Sequence, residues 1–280
     1  MPVTGGESRL VSGAPGFDGG VAWSPDGKRI AFASLRAGNA DIWIAPVGGG
    51  VATRLTDWPT SENSARWSPD GKTIAFRSSR ESPGHDIWTM PVDGGTAKRL
   101  TRLGTVQSFR WSPDGETIAF AAHMQSAGGL AVFGVAATGG EPRQIAPATS
   151  SAPEWSPNGR EIKVTQCDKG YCTIDIRSPD GTRLRTLSAQ PIVYEFDLHW
   201  SSTGSQALVS WQEMLGDGGN RVDLRPAAGG AARRLAGPPG FSMVAVGFSA
   251  GDKAAIVFGR TYGSALQRID VPAAAPPAKR

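Results

Sequence analysis

Along this chain, short runs of alternating apolar and polar residues are separated by clusters of glycine, proline, asparagine and aspartate. Arg29-Ile-Ala-Phe32, Thr73-Ile-Ala-Phe76, Asp41-Ile-Trp-Ile44 and Asp86-Ile-Trp-Thr89 carry the period-2 pattern of strands in a packed sheet. The segments between them are turn chemistry: in Pro-Asp-Gly the proline presets φ and the glycine accepts a positive φ. The pattern predicts an all-β protein of many short strands joined by tight turns.

A longer period overlies the short one. Trp-Ser-Pro-Asp-Gly begins at Trp23, Trp67 and Trp111, becomes Trp-Ser-Pro-Asn-Gly at Trp155 and Trp-Ser-Ser-Thr-Gly at Trp200, and fades to an outline at Phe248. The intervals are 44, 44, 44, 45 and 48 residues, the length of one four-stranded propeller blade at about 40–45 residues. Within each copy a segment ending in the aromatic (strand A) is followed by the Pro-Asp-Gly turn and strand B. A variable loop, strand C, a Gly-Gly turn and strand D (Arg54-Leu55-Thr56, Arg99-Leu100-Thr101) complete the unit. Pro2 to Leu10 aligns with Pro91 to Leu100, a C–D turn plus strand D, whereas the last copy runs through Leu266 to Val271 and lacks one. The reading is therefore a single six-bladed β-propeller over residues 1–272, all-β with four-stranded blades. Residues 2–11 supply the outer strand of the last blade, so the N-terminal strand completes the C-terminal one, and 273–280 form a Pro/Ala-rich tail.

Trp-Ser-Pro-Asp-Gly-Lys-x-Ile-Ala-Phe, then Ser-x-Arg-x-Gly-x-x-Asp-Ile-Trp, then Gly-Gly-x-x-x-Arg-Leu-Thr, resembles the TolB-type (WD40-like) β-propeller repeat over nearly the whole chain. That repeat forms the C-terminal propeller domain of TolB. Similar repeats form propellers attached to prolyl oligopeptidases, tricorn-like proteases and some amidohydrolases. The resemblance implies a bacterial, periplasmic, non-catalytic scaffold that binds a protein or peptide. It also leaves open a gating or substrate-access propeller separated from the catalytic domain of such an enzyme, because this unit is widely reused.

Positions shared by the copies serve folding. The strand A tryptophan is an inter-blade wedge, and Asp26, Asp70 and Asp114 cap the A–B turn. Arg36 with Asp41, and Arg80 with Asp86, bracket the B–C loop and are expected to pair. The D-strand arginines Arg9, Arg54, Arg99, Arg143, Arg233 and Arg234 are expected to form a charged rim against edge-to-edge association. Strand parity puts the fixed A–B and C–D turns on one face and the variable B–C and D–A loops on the other. Those loops include Asp57–Asn63, Glu81–His85, His123–Gly129, Ile192–Asp197 and Glu213–Asn220, and function concentrates in such loops. The residue before the strand A aromatic also varies. Arg66, Arg110, Glu154 and His199, with Asp197, are the candidate ligand-binding set at the channel mouth, suited to an acidic peptide or small anion.

Composition narrows the classes. A net charge of +4 over 280 residues is too small to argue for nucleic acid. The longest apolar stretch, Leu130 to Ala137, is far short of the roughly 20 residues needed to cross a bilayer, so no membrane insertion is expected. There is no Gly-x-Ser-x-Gly elbow, His-Glu-x-x-His or phosphate-binding loop, so no enzyme activity and no cofactor are expected. His85, His123 and His199 fall on blades two, three and five, which a ring holds apart, so no metal site is expected. Cys167 and Cys172 flank a hairpin turn that lets them face each other. A disulfide and two reduced thiols both fit, and the former, with the family resemblance, points to a periplasmic or extracellular location. The N-terminus, Met1 to Gly6, lacks the regions of a signal peptide. A monomer with a protein or peptide partner is the expected state.

Overall fold

In the computed structural model, the described residues are 18–124, 129–147, 153–168, 171–191, 193–213, 220–235, 242–248, 254–260 and 264–270. The predicted closing strand at residues 2–11 and the tail at 273–280 lie outside them. The described residues fall into two compact units, 18–124 with 133–144, and 129–132 with those from 145 onward.

Among the described residues the regular structure is entirely β, in five four-stranded antiparallel sheets and one three-stranded sheet. The first sheet is β1 (Asp18–Trp23), β2 (Arg29–Ser34), β3 (Asp41–Pro46) and β4 (Thr53–Arg54). The second is β5 (Glu62–Trp67), β6 (Thr73–Ser78), β7 (Asp86–Pro91) and β8 (Lys98–Arg99). The third is β9 (Val106–Trp111), β10 (Thr117–His123), β11 (Leu130–Ala136) and β12 (Arg143–Ala146). The fourth is β13 (Glu154–Trp155), β14 (Ile162–Asp168), β15 (Tyr171–Arg177) and β16 (Arg183–Pro191). The fifth is β17 (Val193–Trp200), β18 (Gln206–Glu213), β19 (Asn220–Pro226) and β20 (Arg233–Leu235), and the last is β21 (Ser242–Phe248), β22 (Ala254–Arg260) and β23 (Ser264–Asp270). Strands follow one another in sequence within every sheet, as the repeat requires.

The turn motif explains its own residues. Ser24 Oγ donates to Asp26 Oδ1 at 2.6 Å and accepts from the Arg29 amide at 2.9 Å, while the Lys28 amide reaches Asp26 Oδ1 at 3.1 Å. Ser68 and Asp70 repeat this arrangement, and Ser156 uses Asn158 in place of aspartate. The glycine that follows is left-handed each time, with φ of 69° at Gly27 and 71° at Gly71, a conformation that costs other residues more. The serine hydrogen bond is the largest influence holding the Asp26, Asp70 and Asp114 carboxyls below the ordinary carboxylate range.

Trp67 and Trp111 wedge as expected, whereas Trp23 does not. Trp67 is buried in a cluster with Ala31, Ala33, Ile42 and Ile44 of the first sheet. Its indole N–H donates to Ala22 O at 3.1 Å, and Trp111 donates to Arg66 O at 3.4 Å. Each wedge therefore adds a directed bond to an apolar burial worth on the order of 3 kcal/mol. Trp23, first of the series, is 55% exposed. In the second unit Ile174, Ile176, Leu187, Leu198 and Val209 make the corresponding packed layer.

The ion pairs differ from the expectation. Asp41 does not pair with Arg36, nor Asp86 with Arg80. Instead Arg54 Nη2 meets Asp41 Oδ2 at 2.7 Å, and Arg99 Nη2 meets Asp86 Oδ2 at 2.7 Å. The register explains it: Arg54 lies opposite Trp43 and Arg99 opposite Trp88, two residues from the aspartate on the same face of the strand. Arg36 and Arg80 stack on aromatic rings, Arg36 over Trp43 at 4.7 Å and Arg80 over Trp58 at 4.2 Å. Arg54 and Arg99 are thus internal partners of strand C rather than a free charged rim. The threonine of Arg-Leu-Thr is a relay: Thr101 Oγ1 accepts from the Ile87 amide at 3.0 Å and donates to Asp86 Oδ1 at 2.8 Å.

Two segments expected as loops are strand. Val193 to Asp197 belong to β17 and pair with β18, because Val-Tyr-Glu-Phe continues the alternation of Asp-Leu-His-Trp. Glu62 and Asn63 begin β5. The hairpin expectation holds: Cys167 and Cys172 are directly opposed across β14 and β15, and Cys172 is disulfide-bonded.

Candidate functional site

The B–C loop of the first sheet and the connection from the first sheet to the second meet at one end of the sheets. Asn39 Nδ2 donates to Trp58 O at 2.7 Å and also reaches Thr60 O. Trp58 is fixed between Phe76 and Trp88, with ring centroids 5.7 and 5.6 Å away. The connection at residues 56–61 is therefore pinned by side chains from both sheets, although it forms no strand.

Glu62, just after this connection, is fully buried. Its Oε1 accepts from Ser78 Oγ at 2.9 Å and Thr60 Oγ1 at 3.0 Å, while Oε2 is buried without a hydrogen-bond partner among the described residues. Burial raises the Glu62 carboxyl to about 7, with Ser78 and Thr60 opposing and the charge of Asp41 adding to the rise. Asp41 is likewise raised, chiefly by burial. Asp86, at the equivalent place in the next sheet, feels the same burial but is held below the ordinary range. Its donors from Thr101, Gly104, Arg99 and Leu103 outweigh the desolvation.

Asn63 faces the other side of β5 from Glu62. Its Nδ2 lies 3.3 Å from His85 Nε2, and its Oδ1 accepts from Ser64 Oγ at 3.1 Å. Arg77, opposite Asn63 in the ladder, donates from Nη1 to Gln107 O of β9 at 2.6 Å. Desolvation, then the charge of Arg77, push the proton affinity of His85 down, with Asp86 opposing. Here the structure assembles three polar side chains, of which only His85 was singled out by its sequence position. The signal for the other two was the repeat comparison: Arg77 stands where the first and third sheets have Ala33 and Ala121, and Asn63 where the first has Gly19.

The expected channel-mouth residues fall into two sets. In the first unit Arg66 and Arg110 occupy equivalent half-buried places on β5 and β9, each donating from Nη1 to the preceding carbonyl at 3.0 Å. In the second unit Glu154 lies half-buried on β13 opposite Lys163, and His199 half-buried on β17 opposite Leu208. The backbone puts Asp197 opposite Ser210, and its side chain lies outside the described part. His85 and His123 both contact the Thr105 segment, His85 O accepting from the Val106 amide at 3.0 Å and the His123 amide donating to Thr105 O at 3.2 Å. Among the described residues no group of three His, Cys, Asp or Glu side chains is placed to hold a metal. None of their segments is a helix long and apolar enough to cross a membrane.

The fixed-turn end carries its own cavities. One of about 370 Å³ lies between the second and third sheets, lined by Asp70, Met90, Lys98, Trp111 and Asp114. Another of about 440 Å³ lies between the first and second, lined by Arg29, Ile44, Val51, Leu55 and Val92. Its residues belong to strand and turn positions that the repeats share, so it follows from blade packing.

Comparisons with known proteins agree with this architecture. No curated protein sequence matches the chain. Among solved structures, a TolB candidate from Agrobacterium tumefaciens superposes with a TM-score of 0.65 at 20% identity, over 81% of this chain and 83% of that one. TolB from Acinetobacter baumannii gives 0.60 at 18% identity over 78% of this chain, which spans only 54% of that protein. The β-propeller domain of the Trilobed protease from Pyrococcus furiosus gives 0.68 at 15% identity, over 92% of this chain and 82% of that one. At these identities the likeness is one of fold. The model of the TolB beta propeller domain matches residues 2–191, and the chain belongs to that family.

Proposed function

We propose that this propeller is a non-catalytic scaffold that binds a protein or peptide through the face bearing its variable loops and through its channel mouth. Arg66, Arg110, Glu154 and His199, with Asp197, are its ligand-facing set. One observation carries the reading. Shared residues such as Ser24, Asp26, Trp67, Asp86, Arg99 and Thr101 are consumed in turns, wedges and internal ion pairs. The residues that differ between sheets lie in the B–C and D–A loops and at the strand A position before the aromatic, such as Arg66 and Glu154, and differences that the fold does not require are free to serve recognition. The disulfide at Cys172 and the TolB likeness favour a periplasmic or extracellular setting, and a monomer is the working assembly.

A second reading keeps the same face for a different task. The likeness to a protease's propeller domain favours a gating role beside a catalytic domain, with the loop face controlling substrate access.

The test is capture of partners from a periplasmic extract on the immobilised protein, repeated with Arg66→Glu and Arg110→Glu combined. A specific partner lost on charge reversal is the expected result. Capture that ignores both substitutions would sink the proposed ligand set. Capture of a hydrolase domain in place of a non-enzymatic partner would favour the gating reading.

A further inference from the structure

Asn63, Arg77 and His85 form a group that the fold does not need. The first sheet supplies the control, because its register matches that of the second. Asp18 opposes Ser34 as Glu62 opposes Ser78, and Ser34 opposes Asp41 as Ser78 opposes Asp86. At the three places in question the first sheet carries Gly19, Ala33 and Ala40 and folds into the same ladder. The second sheet has exchanged three small residues for three polar ones: Asn63 meets His85, Arg77 lies opposite Asn63 in the ladder, and its charge acts on His85.

Their arrangement is built rather than incidental. Ser64 holds a φ of 58°, the one positive value at a non-glycine residue among the described residues, at a bulge where the first sheet uses Gly20 with a φ of 65°. Strain of this kind costs on the order of 1–3 kcal/mol and gathers at functional places. Serine accepts that strain here while its hydroxyl bonds Asn63 Oδ1, which leaves the Asn63 amide nitrogen turned to His85. Bulges of this kind re-aim side chains.

Arg77 is the centre of the group. The half-buried guanidinium has one hydrogen bond, to Gln107 O, and no carboxylate within ion-pair distance among the described residues. Its Nε is buried with no partner. The nearby acids are already committed: Asp86 and Glu81 both pair with Arg99. A desolvated cation left without an anion is costly, and the planar guanidinium fork matches a carboxylate.

We infer that Arg77, His85 and Asn63 form a subsite, in the seam between the second and third sheets, for a side-chain carboxylate of an acidic peptide. The inference rests on the loop-face reading above and names a ligand chemistry and a place distinct from Arg66 and Arg110. Arg77 supplies the charge, Asn63 and His85 supply the flanking hydrogen-bonding groups, and the strained Ser64 sets the angle of Asn63.

The experiment titrates the full chain with blocked tetraglutamate and, as control, blocked tetraglutamine, by calorimetry and by amide shifts in NMR. Tetraglutamate is expected to bind and tetraglutamine not, with shifts centred on Asn63, His85 and Gln107. Arg77→Gln and His85→Ala should each weaken binding tenfold or more at an unchanged melting temperature. His85→Ala leaves the Arg77 to Gln107 bond in place, so it decides the matter even where Arg77→Gln disturbs folding. Wild-type affinity in both variants overturns the subsite. If the Arg66→Glu, Arg110→Glu protein alone loses the peptide, the subsite falls while the broader loop-face reading stands. If the wild-type protein binds neither peptide or both equally, the subsite falls again, and partner capture judges the broader reading separately.

Discussion

Glu62 couples this protein to pH through one buried carboxyl. Its proton affinity rises from the usual 4.5 to about 7 in the folded protein, so folding favours the protonated acid. The stability it contributes is complete below about pH 4.5, falls as pH rises, and is gone above about pH 7. The shift corresponds to about 3 kcal/mol at 1.36 kcal/mol per unit. Other groups slope the other way: His85, with its lowered affinity, and the turn aspartates are destabilised as pH falls. The difference between wild type and Glu62→Gln cancels these and isolates Glu62. Urea unfolding at pH 5 and pH 8 should show the variant gaining about 3 kcal/mol on the wild type as pH increases. Parallel profiles would mean that Glu62 is ionised in the folded state at both values. Nothing in the sequence marked Glu62. It stands where other copies have Asp18 and Val106, and only packing against Ser78 and Thr60 reveals that its carboxyl has left water.

At the scale of elements, the repeat made strand order, turn type and wedging tryptophans legible, because each follows from local chemistry. Pairing partners were less legible. Arg36 and Asp41 are close in sequence, yet Arg54 takes Asp41 because strand D lies beside strand C with matching parity, a contact set by register rather than proximity along the chain. The same rule distinguishes two equivalent aspartates. Asp86 accepts from Arg99, Thr101, Ser82 and the Leu103 and Gly104 amides. Asp41 has only Arg54 and a long contact to Thr56. Removing a fully bonded buried carboxylate strands every donor and costs about 3–5 kcal/mol. Asp86→Ala should therefore destabilise more than Asp41→Ala, and hydrogen exchange should quicken at the Leu103 and Gly104 amides. Equal losses in the two variants would show that the Asp86 network adds nothing to the shared ion pair. The candidate face was legible only as a class of position: the repeat comparison identified where variation lies, but bringing Asn63, Arg77 and His85 together took a bulge that no spacing rule announces.

For the whole molecule, the end of the series of sheets sets how the fold closes. The last described sheet, β21 to β23, has three strands where five others have four. Pro2 to Leu10 repeats the sequence of a C–D turn and strand D. We propose a ring of six blades in which residues 2–11 become the fourth strand of the last one, which would leave no unpaired inner edge. The alternative has a precedent in the fold: the propeller of the Trilobed protease is described as having an open velcro topology. The two arrangements respond differently to the loss of residues 2–11. A closing strand contributes about five ladder hydrogen bonds at ~1 kcal/mol each, besides the burial of Leu10. That sum is comparable with the 5–15 kcal/mol total of an ordinary domain. In a closed ring the truncated protein should melt at a markedly lower temperature, and adding residues 2–11 back as a synthetic peptide should restore part of the loss by pairing with the vacant edge. In an open one the melting temperature should not move and the peptide should have no effect, because no edge is waiting for it.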